Sequence, residues 1–306
     1  MDHIYDVIIL GAGPAGLSAG LYAGRSRLDT LIIEKGQAGG QIINTDEIEN
    51  YPGQIVEGET GVSLVRRMYE QTEQFGAEHV RDTITNAELS GDIKVLTGEK
   101  DTYQAKNIII ATGAYARPIG CKGEQEYKGR GISYCATCDG AFFQGGTVAV
   151  VGGGNVAVED AILLSRTCRK VYLVHRRGEL RADKVLQDRL FRCPNVEMVW
   201  DNVPVSVEGT EKVQNLKVRN VRTDEEKDLS VDGVFIAVGI LPNTEKFKNL
   251  VALDEGGYII AGEDCVTSTP GIFAAGDIRT KQLRQVVTAV ADGANAVISA
   301  EKYCDV

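Results

Sequence analysis

Val7-Ile8-Ile9-Leu10-Gly11-Ala12-Gly13-Pro14-Ala15-Gly16-Leu17-Ser18-Ala19 decides the fold, because its design returns as Val148-Ala149-Val150-Val151-Gly152-Gly153-Gly154-Asn155-Val156-Ala157-Val158. Each stretch is a short apolar run, a G-x-G-x-x-G/A turn and the start of a small-residue helix. Each leads to a second apolar run, Thr30-Leu31-Ile32-Ile33 and then Val171-Tyr172-Leu173-Val174. Strand, turn, helix and strand in this order make the βαβ unit that binds a dinucleotide. The first glycine permits a tight turn, and the second lets the backbone approach a pyrophosphate. The third position must be small so that helix and strand can pack. The pyrophosphate then rests on free N–H groups at a helix N-terminus, where the dipole favours an anion. A single glycine turn is weak evidence, but two in this context are specific.

The same two regions invite a wrong reading. Val7 to Gly24 runs 18 residues without a charge and Gly140 to Val158 runs 19, lengths at which a membrane span is considered. The first holds five glycines and a proline and the second six glycines, so neither reads as a continuous apolar helix.

The end of each second strand distinguishes the ligands. Gly11 to Glu34 and Gly152 to His175 both span 23 positions. A carboxylate at Glu34 accepts hydrogen bonds from ribose hydroxyls and suits a free 2′-OH, which reads as FAD or NAD. The second copy instead begins His175-Arg176-Arg177, with Arg181 close behind. A carboxylate there would repel a 2′-phosphate, whereas guanidinium groups bind one, so this copy reads as NADP(H). The competing reading is a solvated basic face.

Each βαβ unit is followed by a third apolar run ending in glycine, Ile108-Ile109-Ile110-Ala111-Thr112-Gly113 and Val234-Phe235-Ile236-Ala237-Val238-Gly239. These are expected to close each parallel sheet. Alternating runs such as Ile93-Lys94-Val95-Leu96 and Leu216-Lys217-Val218-Arg219 point to a small antiparallel sheet in each half. Pro118 and Pro242 each follow a closing strand and mark two crossings. The expected class is therefore α/β with two Rossmann-like domains. Residues 115–244 are expected to be inserted into a discontinuous domain of residues 1–114 and 245–306.

The composition agrees. The 306 residues are 43% hydrophobic and 25% charged, a globular balance. Length predicts about two domains. Glycine is high, at 35 residues, yet proline is only 7, which excludes collagen-like and linker chains. A net charge of −10 opposes nucleic acid and anionic membranes as partners. The seven cysteines are odd in number and scattered, and the Met1-Asp2-His3 start lacks a basic signal region. A cytosolic protein with reduced thiols is expected.

Cys135-Ala136-Thr137-Cys138-Asp139-Gly140 holds the one C-x-x-C. Two cysteines at this spacing can switch between dithiol and disulfide. A zinc site needs about four ligands, and no second cysteine or histidine pair supplies them, so no metal is expected. Inert buried thiols are the other reading, and the one that suits Cys121, Cys168, Cys193, Cys265 and Cys304.

Across its whole length the sequence resembles the low-molecular-weight thioredoxin reductases. They belong to the flavoprotein disulfide reductases with two dinucleotide domains. The motifs that carry the resemblance are Gly11 to Gly16, Gly39-Gly40-Gln41, Ala111-Thr112-Gly113-Ala114, Cys135 to Gly140, Gly152 to Ala157, His175-Arg176-Arg177 with Arg181-Ala182, and Phe273-Ala274-Ala275-Gly276-Asp277 with Arg284-Gln285. The resemblance implies FAD on the first domain, held by Gly11, Gly13, Pro14, Ala15, Gly16, Glu34, Gly40, Gln41, Asn50, Thr112, Gly113, Gly276, Asp277, Arg284, Gln285 and Val286. It implies NADPH on the second, held by Gly152, Gly154, Asn155, Val156, Ala157, His175, Arg176, Arg177 and Arg181. By the same resemblance Cys138 is the flavin-proximal thiol, Cys135 attacks thioredoxin and Asp139 is the acid–base group, although a turn carboxylate is the bland alternative.

Disulfide and nicotinamide would share one domain and take turns at the flavin, which implies a rotation about the crossings near 114–118 and 241–245. Arg130, Phe142 and Phe143 are candidates for thioredoxin docking, with core packing the alternative for the two phenylalanines. Ala141 departs from the aromatic that family members often carry. A homodimer is implied by the family alone. A reductase fed by ferredoxin or another flavin donor is the nearest competing enzyme, and a redox-sensing flavoprotein that acts by partner binding is the competing class. No thioredoxin-like domain is expected before residue 1, and no second thiol pair around Cys304.

Overall fold

The computed structural model describes residues 3–44, 48, 50–55 and 58–304. Met1, Asp2 and the side chain of Cys304 lie outside the described set, so the readings placed on them stay outside it too. The chain opens with β1 (Ile4–Leu10), α1 (Pro14–Arg25) and β2 (Thr30–Glu34), then α2 (Gly61–Gln74) and β3 (Glu78–Arg81). β4 (Ile84–Glu88), β5 (Lys94–Gly98), β6 (Thr102–Ile110) and β7 (Ala114–Ala116) follow. Next come β8 (Ile132–Ser133), α3 (Ala136–Asp139), β9 (Thr147–Gly152), α4 (Asn155–Ser165), β10 (Lys170–Val174), α5 (Lys184–Leu190) and β11 (Val196–Val199). The chain ends with β12 (Asn202–Gly209), β13 (Val213–Asn220), β14 (Glu226–Ser230), β15 (Gly233–Ala237), β16 (Ile240–Pro242), β17 (Ile272–Ala274) and α6 (Val286–Cys304). Two compact units result, Met1–Tyr115 with Leu241–Val306, and Ala116–Ile240. The two crossings, β7 and β16, pair as a ribbon.

In the first unit the sheet runs β3-β2-β1-β6-β5-β4, with β17 also on β6. Beside β1 on one edge, β6 serves two neighbours on the other because it is long. Its end, Ile108 to Ile110, pairs in parallel with β17, and its start pairs antiparallel with β5. The antiparallel strands of this unit therefore continue the parallel sheet instead of standing apart from it. Val7, Ile8 and Ile9 are fully buried, as a central parallel strand covered on both faces should be. Val7 and Ile9 pack among α1, α2 and α6, while Ile8 and Leu10 face Phe247, Val251 and Ile259. Each such side chain contributes about 1.5–3 kcal/mol by leaving water.

The second unit repeats the plan with β11-β10-β9-β15-β8, all parallel, and a separate antiparallel meander β12-β13-β14. Val148 and Val150 pack under α4, and Ala149 and Val151 face Val207, Leu216 and Val218 of the meander. Among the described residues no helix is long and apolar enough to cross a membrane.

Candidate active site

The first glycine turn joins β1 to α1. Gly11 has φ +105°, and a Cβ there would lie 2.5 Å from the Ala111 carbonyl oxygen and 3.3 Å from Thr112 Cα. A Cβ on Gly16 would stand 1.8 Å from the Gly11 carbonyl oxygen. The fold itself demands these two glycines. Gly13 is different. Its φ is an ordinary −78°, and the nearest atom to a Cβ there is Gly40 Cα at 3.9 Å. Gly13 also caps α1 with no side-chain bond. The chain thus leaves open space before the first N–H groups of α1, a cradle of the shape and polarity that suits a pyrophosphate.

The walls of this cradle are backbone and one carboxylate. Glu34 accepts from the N–H of Ala12 at 2.9 Å and of Gly36 at 2.9 Å. It is fastened beside the turn, with lone pairs left for a ribose hydroxyl. Gly39 donates to the Ala12 carbonyl at 2.7 Å, which brings Gly40 up to Gly13, and Gln41 follows in the short turn Gly40–Asn44. Pro14 and Ala15 open α1, and a Cβ on Gly276 would come within 2.8 Å of Ala15 Cβ. Thr112 donates to the Asn243 carbonyl at 3.1 Å, and Asn243 donates from Nδ2 to Thr112 at 2.7 Å and from its N–H to Gly113 at 3.0 Å.

Gly276, with φ +80°, turns the chain into Asp277. Asp277 Oδ1 is buried and, among the described residues, lacks a hydrogen-bond partner. Burial raises its carboxyl above the usual range, while Lys281 and Arg284 pull it back. An unmet buried acceptor costs about 1–3 kcal/mol, so this oxygen fits a donor brought by a ligand. Arg284 lies 4.0 Å over the Tyr258 ring and reaches the Asp277 carbonyl at 3.5 Å. Asn50 donates to Gln285 Oε1 at 3.2 Å, just before Val286 starts α6.

The second turn joins β9 to α4. A Cβ on Gly152 would lie 2.4 Å from the Ala237 carbonyl oxygen and 2.6 Å from Ala157 Cβ, so the small residues at both ends are structural. A Cβ on Gly153 would strike the His175 ring at 2.2 Å, whereas one on Gly154 would meet nothing within 4 Å. Gly154 caps α4 with no side-chain bond, so the second cradle matches the first. Asn155 donates to Asp183 Oδ2 at 2.8 Å and accepts from its N–H at 2.9 Å, and Val156 lies exposed beside it.

His175 is 5% exposed and its Nε2 is buried without a partner among the described residues. Burial, then Arg181, lowers its pKa, so the ring is neutral. Arg176, Arg177 and Arg181 are exposed, and none forms an ion pair among the described residues. The Arg181 N–H donates to the Gly153 carbonyl at 2.8 Å, which ties the last arginine to the turn.

Cys135 and Cys138 form a disulfide. Cys135 caps α3, its sulfur accepting from the Cys138 N–H at 3.2 Å. Ser133 accepts from the Cys135 N–H at 3.0 Å and donates to Asp139 Oδ2 at 2.6 Å. One hydroxyl therefore links the carboxylate to the disulfide backbone. Tyr134 donates to buried Glu124 at 2.8 Å, and Glu124 also accepts from the N–H of Ile119 and of Gly120. Burial, then Glu124, keeps the Tyr134 hydroxyl protonated. Phe143 packs edge-on against Phe235 at 5.2 Å and covers Gly233. That leaves Phe142, 50% exposed, and Arg130 on the surface.

Sequence reasoning missed Asn243, Ser133 and a cluster of Arg279, Lys281 and Asp292. Asn243 and Ser133 carry no motif of their own. Asp292 had a signal, an acid followed by glycine inside the small, apolar α6. Burial raises the thiol of Cys168, and pushes Cys121 up to about 11 and Cys265 up to about 12. Neutral thiols of this kind are poor nucleophiles. Among the described residues no group of three or more His, Cys, Asp or Glu is arranged to hold a metal.

Known proteins resemble this chain from end to end. The family of pyridine nucleotide-disulphide oxidoreductases matches residues 5–293. A thioredoxin reductase of Peptoclostridium acidaminophilum is 47% identical over 311 residues, covering 100% of this chain and 98% of the relative. The crystal structure of thioredoxin reductase from Streptococcus pyogenes is 47% identical with a TM-score of 0.93, covering 100% of this chain and 99% of that one. The structure of the Lactococcus lactis thioredoxin reductase, described as its FR conformation, is 45% identical with a TM-score of 0.68, covering 98% of each chain.

Proposed function

This chain belongs to the pyridine nucleotide-disulphide oxidoreductases and is a thioredoxin reductase among them, and from that premise we propose how its residues divide the work. The cradle before Gly13 holds FAD, with Glu34 on the ribose, Asp277 on the flavin's polyol chain and Asn50 and Gln285 nearer the ring. The cradle before Gly154 holds NADPH, with Arg176, Arg177 and Arg181 on the 2′-phosphate. The observation that carries this assignment is the pair of open glycines, Gly13 and Gly154, each the one position of its turn that the surrounding chain does not fill. When bound, the cofactors move two electrons as hydride from NADPH to the flavin and on to the Cys135–Cys138 disulfide.

The chain's own residues do the rest. Reduction of the disulfide takes up two electrons and two protons and leaves two thiols. The hydride equivalent brings one of these protons, and Asp139, oriented by Ser133, holds the other. Cys135 as thiolate attacks a sulfur of the thioredoxin disulfide and forms a mixed disulfide. Cys138 as thiolate then attacks Cys135, which restores the internal disulfide and releases thioredoxin as a dithiol. Phe142 and Arg130 form the docking surface. The reading assigns a homodimer in the cytosol, where partner thiols stay reduced.

The C-x-x-C and the NADPH turn lie in one unit, so they must use the flavin in turn. We assign a hinge to the two crossings. Anaerobic titration with NADPH and, separately, NADH tests the whole reading. Expected is flavin bleaching at far lower NADPH than NADH, reversed by oxidised thioredoxin. A flavin that neither nucleotide bleaches overturns it.

A further inference from the structure

We propose that Asp292 is a positioning residue for the flavin, holding the Gly276–Asp277 turn against the N-terminus of α1 through a buried cluster with Arg279 and Lys281; the inference rests on the FAD reading above. The cluster lies in a part of the first unit that no sequence motif marked. Asp292 Oδ2 accepts from the Gly276 N–H at 2.9 Å, from Arg279 Nε at 2.9 Å and from Lys281 Nζ at 2.7 Å. Its Oδ1 accepts from Arg279 Nη2 at 2.6 Å. The side chains of Arg279, Lys281 and Asp292 are 10%, 6% and 5% exposed.

Two features separate this cluster from ordinary structural glue. One is its place. Gly276 abuts Ala15, and a Cβ on Gly293, the neighbour of Asp292, would lie 2.2 Å from the Ala15 carbonyl oxygen. Ser18 of α1 donates to the Val290 carbonyl of α6 at 2.7 Å. The carboxylate thus sits where α1, α6 and the Gly276 turn converge. Moving it moves the turn relative to the pyrophosphate cradle.

The other feature is charge. An arginine and an aspartate already neutralise one another, and burying a further cation is costly without a partner. Lys281 leaves the cluster with one excess positive charge. The neighbouring carboxyl that this charge acts on is Asp277, whose Oδ1 is buried and unmet. Lys281 offsets part of the rise that burial and Asp292 impose on that carboxyl, and the cluster holds the polar atom in place where a ligand hydroxyl is to be received.

The test uses the full-length FAD-loaded protein and reads release of FAD as the rise of its fluorescence on dilution. The double variant Asp292→Asn/Lys281→Met keeps the buried excess at one positive charge while weakening the grip on the turn. Release at least ten-fold faster, with an altered visible circular dichroism of the flavin still bound, is the expected result. Lys281→Met alone keeps Asp292 on Gly276, loses only the charge that acts on Asp277, and should speed release by less than the double variant does. Release from the double variant within two-fold of the parent, or equal acceleration by Lys281→Met alone, overturns the proposal. Should the double variant unfold, Asp292→Glu keeps the charge, lengthens the arm and is judged by the same thresholds. A parent protein that binds no FAD sinks the FAD reading itself, and this inference with it.

Discussion

Adjacent glycines in the second turn should fail in opposite ways when each becomes alanine. At Gly153 the new methyl would lie 2.2 Å from the His175 ring, and the ring is buried beneath it. Forcing such a shift costs about 1–3 kcal/mol. At about 2–4 °C per kcal/mol the midpoint of unfolding should fall by about 2–12 °C. At Gly154 the methyl meets nothing within 4 Å, and φ is an ordinary −94°. Alanine loses up to about 1 kcal/mol as a helix cap and regains about 0.4–1 kcal/mol by restricting the unfolded chain. Stability should therefore hardly change. The same methyl occupies the approach proposed for the pyrophosphate and removes one charge-assisted hydrogen bond, worth about 1.5–3 kcal/mol. Binding should weaken about ten- to a hundred-fold. Thermal unfolding and calorimetric titration with NADP⁺ read the two effects on the same preparations. If Gly154→Ala binds NADP⁺ like the parent, or melts as early as Gly153→Ala, the space before Gly154 is not the nucleotide site.

Replacing Arg176 and Arg177 by alanine should raise the KM for NADPH about ten-fold or more, from the loss of charged bonds worth about 1.5–3 kcal/mol each, and spare NADH. Equal losses with both nucleotides would remove the 2′-phosphate role. Cys135→Ser should still pass electrons from NADPH to flavin in stopped-flow traces yet reduce no thioredoxin; residual thioredoxin reduction at the parent rate contradicts the relay. The second unit also holds two groups, buried His175 and half-buried Asp160, whose pH effects oppose each other. His175 has a lowered pKa, so its contribution is present above about 6.5 and is lost as pH falls. Asp160 is pushed up to about 7 by burial, then Glu159, so its contribution is greatest in acid and fades as pH rises toward 7. Asp160→Asn should unmask a melting temperature that climbs from pH 5 to 7; a flat profile refutes the histidine's part.

The two βαβ units were legible because their signal is local. A glycine turn and the runs around it lie within 28 residues, Val7 to Glu34 and Val148 to His175, and the spacing alone sets strand, helix and cradle. The Cys135–Cys138 pair was legible for the same reason. What the sequence hid depends on distant contacts. Asn243 braces Thr112 across 131 positions, and Asp292 reaches Gly276 only because α6 folds back onto α1. The two phenylalanines after the C-x-x-C look alike in sequence. Only the packing of Phe143 on Phe235 separates a core ring from the exposed Phe142. Likewise the basic run at 175–177 does not reveal which member turns inward.

That inward turn explains why the second copy carries three consecutive glycines. Glu34 and His175 stand at the same place in the two repeats, and so do Ala12 and Gly153. In the first copy the strand-end residue reaches the middle of the turn as an acceptor, taking the Ala12 N–H at 2.9 Å. In the second copy it reaches the same point with a ring, which fills the volume that a Cβ on residue 153 would need. The exchange of glutamate for histidine thus requires the exchange of alanine for glycine. It also removes a negative charge from the place where a 2′-phosphate would lie. Burial keeps the imidazole neutral, so it adds no charge of its own. On the proposed NADPH reading, phosphate recognition falls to the exposed Arg176, Arg177 and Arg181, the last held to the turn through the Gly153 carbonyl. One strand-end position thereby sets both the shape of the turn and the sign of the ligand end it accepts.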